Sequence, residues 1–182
     1  MAAMEQGAAS SSVRIEPWAP GDLELLRRAN APELMAHLGG PEPEGKLLGR
    51  HARYLALSAD RTGRGRMFRI ALPGVAEAVG TIGFWEHHWR GREVYETGWT
   101  VLPEFQGRGI ASAATRAVAG AARAEGKHRY LHAFPSVANG PSNGVCRKAG
   151  FTLLGECEIE YPPGHPLLTN DWRLDLRAEA AA

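Results

Sequence analysis

The segment "QGRGIA", Gln106 to Ala111, sets two glycines and an arginine just before an alanine-rich run of helical spacing. A helix N-terminus offers unpaired N–H groups and the positive end of the peptide dipole, so an anion such as phosphate can sit there. Gly107 and Gly109 remove side-chain bulk and let the backbone approach a ligand, while Arg108 adds a full positive charge. The segment is not a dinucleotide fingerprint, because the third glycine is missing, and not a Walker loop, because no Gly-Lys-Ser/Thr follows. Groups able to move a proton stand upstream and downstream of it. Glu96 lies on the strand-like run that leads into the loop, Glu86, His87 and His88 lie in "WEHHW", and His132 follows later. A carboxylate acts as a base near neutral pH if burial raises its pKa, and a histidine titrates there unaided.

The elements that must position these groups can be read from periodicity. Val13–Trp18 alternates as a first strand, and Asp22 stands as an N-cap before two short helices broken at Pro32. "EGKLLGRHARYLALSAD" has helical spacing at Leu47, Leu48, Tyr54, Leu55 and Leu57. Met67–Leu72, Ala78–Trp89 and Glu93–Leu102 are rich in β-branched and aromatic residues and predict an antiparallel meander. A helix is expected from about Ile110 to Ala124, stopped by Gly126. "KHRYLHAFP" predicts another strand, "NGPSNGVCRKAG" a helix ending at Gly150, and "FTLLGECEIEY" and "NDWRLDL" a closing pair of strands. This order is α+β with one central sheet, not a series of alternating βα units.

With 182 residues the chain fits one domain, read as 13–176 between a flexible start (1–12) and tail (177–182). Lys and Arg number 21 against 20 Asp and Glu, for a net charge of +1, so the basic excess of a phosphate-neutralising nucleic-acid binder is missing. A local basic patch at Arg61–Arg69 keeps an RNA- or ribosome-associated role as a minor reading. Two cysteines, Cys146 and Cys157, form no recognised zinc spacing with His128 and His132, and no metal is expected. No apolar run nears the roughly 20 residues that span a bilayer. The N-terminus lacks a basic start and long apolar core, so the reading is cytoplasmic, with reduced thiols and no membrane partner.

From Glu96 to Phe151 the chain resembles the GCN5-related N-acetyltransferase (GNAT) superfamily. The family motif Gln/Arg-x-x-Gly-x-Gly/Ala is matched by Gln106, Gly109 and Ala111, and Asn139, Ser142 and Gly150-Phe151 follow in the family's order. "ETGWTVLPEFQGRGIASAATRA" looks most like the branch of ribosomal-protein N-terminal acetyltransferases (RimJ/RimL type). The resemblance implies a GNAT fold, a single mixed, mostly antiparallel sheet flanked by helices and splayed between its fourth and fifth strands. Acetyl-CoA, the donor substrate, would lie in that opening. Backbone groups of Thr100 and Val101 would pair with the pantetheine amides. N–H groups of Arg108, Gly109, Ile110, Ala111 and Ser112 would hold the pyrophosphate, with Gln106 and Gly107 shaping the loop. Asn139 would bond the pantetheine arm, unless it serves only as a turn residue, and Ser142 would lie near the CoA tail.

By the same resemblance the reaction is N-acetyl transfer by direct attack, with no acyl-enzyme. Glu96 is the favoured base; Glu86, His87, His88 and His132 are alternates. Many relatives carry a Tyr acid five residues before the Gly-Phe phenylalanine, where this chain has Cys146. That cysteine is either the acid or a small buried apolar residue. The acceptor, a primary amine on a small molecule or a peptide N-terminus, would meet Trp85, Glu86, His87, Trp99 and Tyr161. Trp89 is a further aromatic wall, and Glu42, Glu44 or Glu160 a further seat for a cation. A homodimer is the assembly this reading allows for. The departure at Cys146 also supports an alternative, a non-catalytic acyl-CoA-binding or sensing module.

Overall fold

The computed structural model describes residues 12–178. The flexible start and the end of the tail, read from sequence, lie mostly outside them. Among the described residues seven strands form one sheet in the order β1-β2-β3-β4-β5-β7-β6. They are β1 (Arg14–Pro17), β2 (Gly65–Ala71), β3 (Gly80–Trp89), β4 (Arg92–Val101), β5 (Tyr130–Ala133), β6 (Thr152–Glu160) and β7 (Pro166–Asp175). All neighbours pair antiparallel except β4 and β5, which are parallel. The expected mixed, mostly antiparallel sheet is therefore present, with the meander extended by β1 on its edge.

Among the described residues five α-helices cover the sheet: α1 (Leu23–Ala29), α2 (Pro32–Met35), α3 (Glu44–Ala59), α4 (Ile110–Glu125) and α5 (Gly140–Lys148). On α4, Ile110, Ala114, Val118 and Ala122 recur every fourth residue and are buried against the sheet. Three of the four positions carry no more than a short or small side chain, so the helix lies close to β3 and β4. Gly126, in the left-handed region at φ 69°, ends the helix as predicted. Its core includes Phe84, Tyr95, Val101, Leu131 and Trp172. A second core, on the side of α1 and α3, gathers Trp18, Leu25, Leu26, Leu47, Met67 and Leu102.

Two local expectations are corrected. Asp22 precedes α1, but it makes no side-chain bond forward into that helix. Its carboxylate reaches back to the Ala19 N–H (2.7 Å) and takes Arg69 Nη1 (3.2 Å). A single 3-10 turn at Pro20–Asp22 intervenes and turns the side chain away. The last strand begins at Pro166, well before "NDWRLDL", because proline is acceptable as the first residue of a strand. Two of the four arginines of the Arg61–Arg69 patch are engaged within the protein, Arg66 with Glu125 and Arg69 with Glu16 and Asp22, while Arg61 and Arg64 are exposed.

Candidate active site

The parallel pairing of β4 with β5 stops early. Tyr95 faces Leu131, Glu96 faces His132, and no further pair follows. From Thr97 to Val101, β4 keeps β3 as a neighbour on one side and has an unpaired edge on the other. At about 3.3 Å per residue, this open edge is on the order of 17 Å long. It ends at the glycine loop, where Gln106 Nε2 donates to the Val101 carbonyl at 2.9 Å and pins the loop to the strand. Gly107 and Gly109 both sit at φ 74°, a conformation that side-chain-bearing residues rarely adopt. Among the described residues, the backbone N–H groups of Gly107, Arg108, Gly109, Ile110, Ala111 and Ser112 meet no acceptor. They converge at the first turn of a four-turn helix, an arrangement suited to an anion. Arg108 stays beside them, its guanidinium donating to the Glu104 carbonyl (3.1 Å).

At the other end of the open edge stands Glu96. Alternation along β4 turns Tyr95 into the α4-side core and Glu96 to the opposite face. There Trp85, on β3, donates its indole N–H to Glu96 Oε2 at 3.2 Å. The Trp85 ring can cross β4 because Gly98 has no side chain; a Cβ there would stand 3.2 Å from the ring. Burial pushes the Glu96 carboxyl up to about 7, the Trp85 bond opposing it only in part. His87 Nδ1 lies 3.4 Å from the same oxygen. Burial also lowers the pKa of His87, with His132 and His88 adding to the effect, and its Nε2 is buried without a partner. Next to Glu96 across the sheet, His132 is buried and its Nδ1 lies 2.6 Å from Asp171 Oδ1. Trp89 donates to the other Asp171 oxygen at 3.0 Å. An open strand edge thus joins an anion-ready loop to a carboxyl poised to exchange a proton near neutral pH.

A sequence profile described as "Acetyltransferase (GNAT) domain" matches residues 12–152. The chain belongs to the GNAT acetyltransferase family. Solved structures agree in fold. An acetyltransferase of the GNAT family from Bacillus anthracis superposes with a TM-score of 0.73 at 21% identity, covering 92% of this chain and 96% of that one. An acetyltransferase from Salmonella typhimurium that modifies the N-terminal serine of a ribosomal-subunit protein gives 0.72 at 19%, covering 92% and 96%. The microcin self-immunity acetyltransferase MccE, solved with acetyl-CoA and AMP, gives 0.72 at 17%, covering 90% and 92%. A comparison with curated protein sequences found no match.

For this GNAT domain the remaining sequence-predicted residues divide into those on the Glu96 face and those elsewhere. Trp85, His87 and Glu96 come together there. Trp99 does not: it lies an odd number of positions from Glu96 and packs on the α4-side core. Glu86 is likewise on the opposite face from Trp85 and His87, held by Lys127 Nζ (2.6 Å) and His128 Nε2 (2.9 Å). His88 is exposed and paired with Glu93. Tyr161 lines a cleft of about 340 Å³ between the α2 end and the β6–β7 turn, with His37, Ser136, His165 and Leu167. Ser136 follows shortly after Phe134, whose ring packs on His87 and Trp89, so the cleft adjoins the Glu96 face. The Tyr161 hydroxyl accepts from Arg50 at 3.2 Å. The carboxylates read as seats for a cation are already engaged: Glu42 by Arg50, Glu44 by Arg27, and Glu160 by the Gly164 N–H.

Cys146 is corrected more sharply. It is fully buried in the α4-side core, and burial pushes its thiol up to about 12. A group packed this way is the small apolar residue of the two sequence readings, not a proton donor facing a ligand. Asn139 caps α5, its Oδ1 accepting the Ser142 N–H at 3.2 Å. That uses its oxygen and leaves its amide N–H groups for a ligand; Ser142, half-buried, makes no side-chain bond among the described residues. Asn143 carries no sequence signal and is central to the site's shape. Its amide donates to the Ser136 and Asn139 carbonyls, and its oxygen accepts from Asn170 and Trp172, each within 2.8–2.9 Å. Those partners lie on β7 and on the loop after β5, so only the folded chain brings them together. Among the described residues no His, Cys, Asp and Glu cluster could hold a metal ion. No helix among them is long and apolar enough to cross a membrane.

Proposed function

We propose that this GNAT enzyme transfers the acetyl group of acetyl-CoA to a primary amine, of a small molecule or a peptide N-terminus, by direct attack. One observation carries the reading: the unpaired β4 edge runs from a half-buried carboxyl at Glu96, desolvated enough to be raised to about 7, to free N–H groups at Gly107–Ser112. The loop N–H groups and Arg108 suit the donor's pyrophosphate. The edge at Thr100 and Val101 suits the pantetheine amides, which would continue the sheet as an added strand does. Asn139 offers its amide to the same arm, and Ser142 stands near the tail. This brings the thioester to Glu96. Near neutral pH a primary amine is mostly an ammonium ion and must lose a proton before it attacks. Glu96 accepts it, directly or through a water, and His87 and Trp85 hold the carboxyl in place.

The acceptor would enter from the cleft lined by Tyr161 and His165. The Salmonella relative's acceptor is the N-terminal serine of a ribosomal protein, while the microcin relative was solved with AMP beside acetyl-CoA, and the two together support no narrower choice. A non-catalytic module would have no use for a half-buried carboxyl poised near pH 7 beside the donor channel, which favours the enzyme. A cytoplasmic location fits a protein that uses acetyl-CoA and keeps two unpaired thiols. The test is release of CoA from acetyl-CoA across a panel of amines, read with a thiol reagent and checked by product mass. Acetylated product with wild type, lost in Glu96→Gln, is the expected result; normal turnover in Glu96→Gln would remove the base assignment.

A further inference from the structure

The reaction has a second proton to place. As the amine nitrogen bonds to the acetyl carbon, the carbon–sulfur bond breaks and its electron pair leaves on sulfur; that thiolate takes up a proton to become CoA. Cys146 is sealed in the core, so the proton must come from elsewhere. We infer that His132, oriented by Asp171, gives its Nε2 proton to the departing sulfur, while Glu96 takes the amine's proton. The inference rests on the donor lying along β4 as proposed above.

The position is the first argument. His132 and Glu96 are the last facing pair before the two strands separate, and both project to the same side of the sheet. A group that enters the opening from the glycine loop meets this pair at the closed end. The second argument is the hydrogen-bond pattern. Nδ1 is committed to Asp171 at 2.6 Å, which makes Nε2 the nitrogen that exchanges protons. Among the described residues Nε2 has no protein partner. Asp171 is itself fixed, with Trp89 on its second oxygen. Burial raises its carboxyl, but the bonds from His132 and Trp89 outweigh that and hold it below the usual carboxylate range. In its doubly protonated form the ring donates one N–H to Asp171 and the other to a developing thiolate.

The charged and titratable groups around the ring are few. Asp171 and Arg173 come from β7, Glu96 from β4 and His87 from β3, with Arg90 acting on Asp171 from the β3–β4 turn. Arg173 sits over the Tyr130 ring, 4.5 Å from its centroid. With Glu96 carrying the amine's proton, the thiolate faces a cationic imidazole instead of an anion. The proton sum closes with one proton released: the ammonium gives one proton to Glu96 before attack, the nitrogen gives a second to solvent as the adduct collapses to the amide, His132 gives one to sulfur, and exchange with solvent resets Glu96 and His132.

The experiment titrates the thiol of CoA bound to wild-type protein by its ultraviolet thiolate absorbance, against free CoA. The bound thiol is expected to ionise at least about one pH unit lower, a tenfold shift, because the imidazolium stabilises the thiolate. His132→Gln and Asp171→Asn should return it toward the free value. They should also lower kcat by about 10²-fold or more, with KM for acetyl-CoA changed less than about threefold. A merely structural role would not move the thiol's titration. If the bound thiol titrates as free CoA does, the assignment is overturned, and this needs no variant to fold. Unchanged kcat in His132→Gln also overturns it. If CoA does not bind at all, the donor placement fails and this inference falls with it; binding with an unshifted thiol removes the inference alone.

Discussion

Glu96→Gln should stabilise the protein at high pH while damaging its activity, and the size of the effect follows from the burial of the carboxyl. In the folded protein Glu96 is pushed up to about 7, against 4.5 when unperturbed. Below pH 4.5 the group is protonated in both folded and unfolded chains and costs nothing. Between the two values the folded state holds a proton that the unfolded state gives up, so stability falls as pH rises. Above pH 7 the folded protein carries the whole cost of a buried charge, about 3 kcal/mol at about 1.4 kcal/mol per pH unit. Glutamine is neutral and of the same shape, and its carbonyl oxygen can still accept the Trp85 N–H. Urea unfolding at pH 8.5 should therefore show the variant more stable by about 3 kcal/mol, and at pH 5 by about 1 kcal/mol or less. Over the same range kcat should fall by about 10²- to 10⁴-fold. A stability difference independent of pH, or a variant less stable at pH 8.5, would refute the claim that Glu96 is held in a low-dielectric site. Such an opposition of stability and activity is expected of a residue kept for function.

Other outcomes can be checked on the same preparation. Cys146→Ala should keep kcat within about twofold and lose about 1 kcal/mol from the emptied core space; steady-state kinetics and urea unfolding decide it, and a hundredfold loss of kcat would restore the cysteine as the acid. Asn143→Ala removes four hydrogen bonds. It should destabilise by about 2 kcal/mol, because it strands the buried Trp172 N–H and the Asn170 amide while the Ser136 and Asn139 carbonyls keep a backbone donor each; a loss under about 1 kcal/mol would show that water replaces the amide.

Much of this architecture was legible in the chain, for reasons that can be named. The α4 stripe of Ile110, Ala114, Val118 and Ala122 and the stop at Gly126 follow from a period near four and a residue free to take positive φ. The donor loop was legible because its chemistry is backbone chemistry, which glycine spacing encodes directly. Trp99 and Glu86 have the aromatic and acidic character of site residues, but strand alternation puts them on the opposite face from Glu96 and His87. The His132–Asp171 bond, the Asn143 clamp and the closing of the core over Cys146 were not legible. Each joins residues from different elements, and nothing in the local sequence of either partner announces the other. Asp22 failed for a smaller reason: a capping residue can reach backward as well as forward, and a 3-10 turn decided which.

The most direct test of the account is calorimetric titration of acetyl-CoA into the wild-type protein and into Gly109→Glu. Position 109 has open space around a Cβ but a φ of 74°, so the variant should fold with a modest penalty of about 1 kcal/mol. It also places a carboxylate on the N–H groups proposed for the pyrophosphate. Wild type should bind, and at a donor concentration a hundredfold above Kd gain about 2.7 kcal/mol of stability, seen as a higher Tm. Gly109→Glu should show at least a hundredfold weaker binding and no Tm shift at that concentration. No heat and no Tm shift for the wild type at millimolar acetyl-CoA, or equal binding by both proteins, would contradict the donor site on which the account stands.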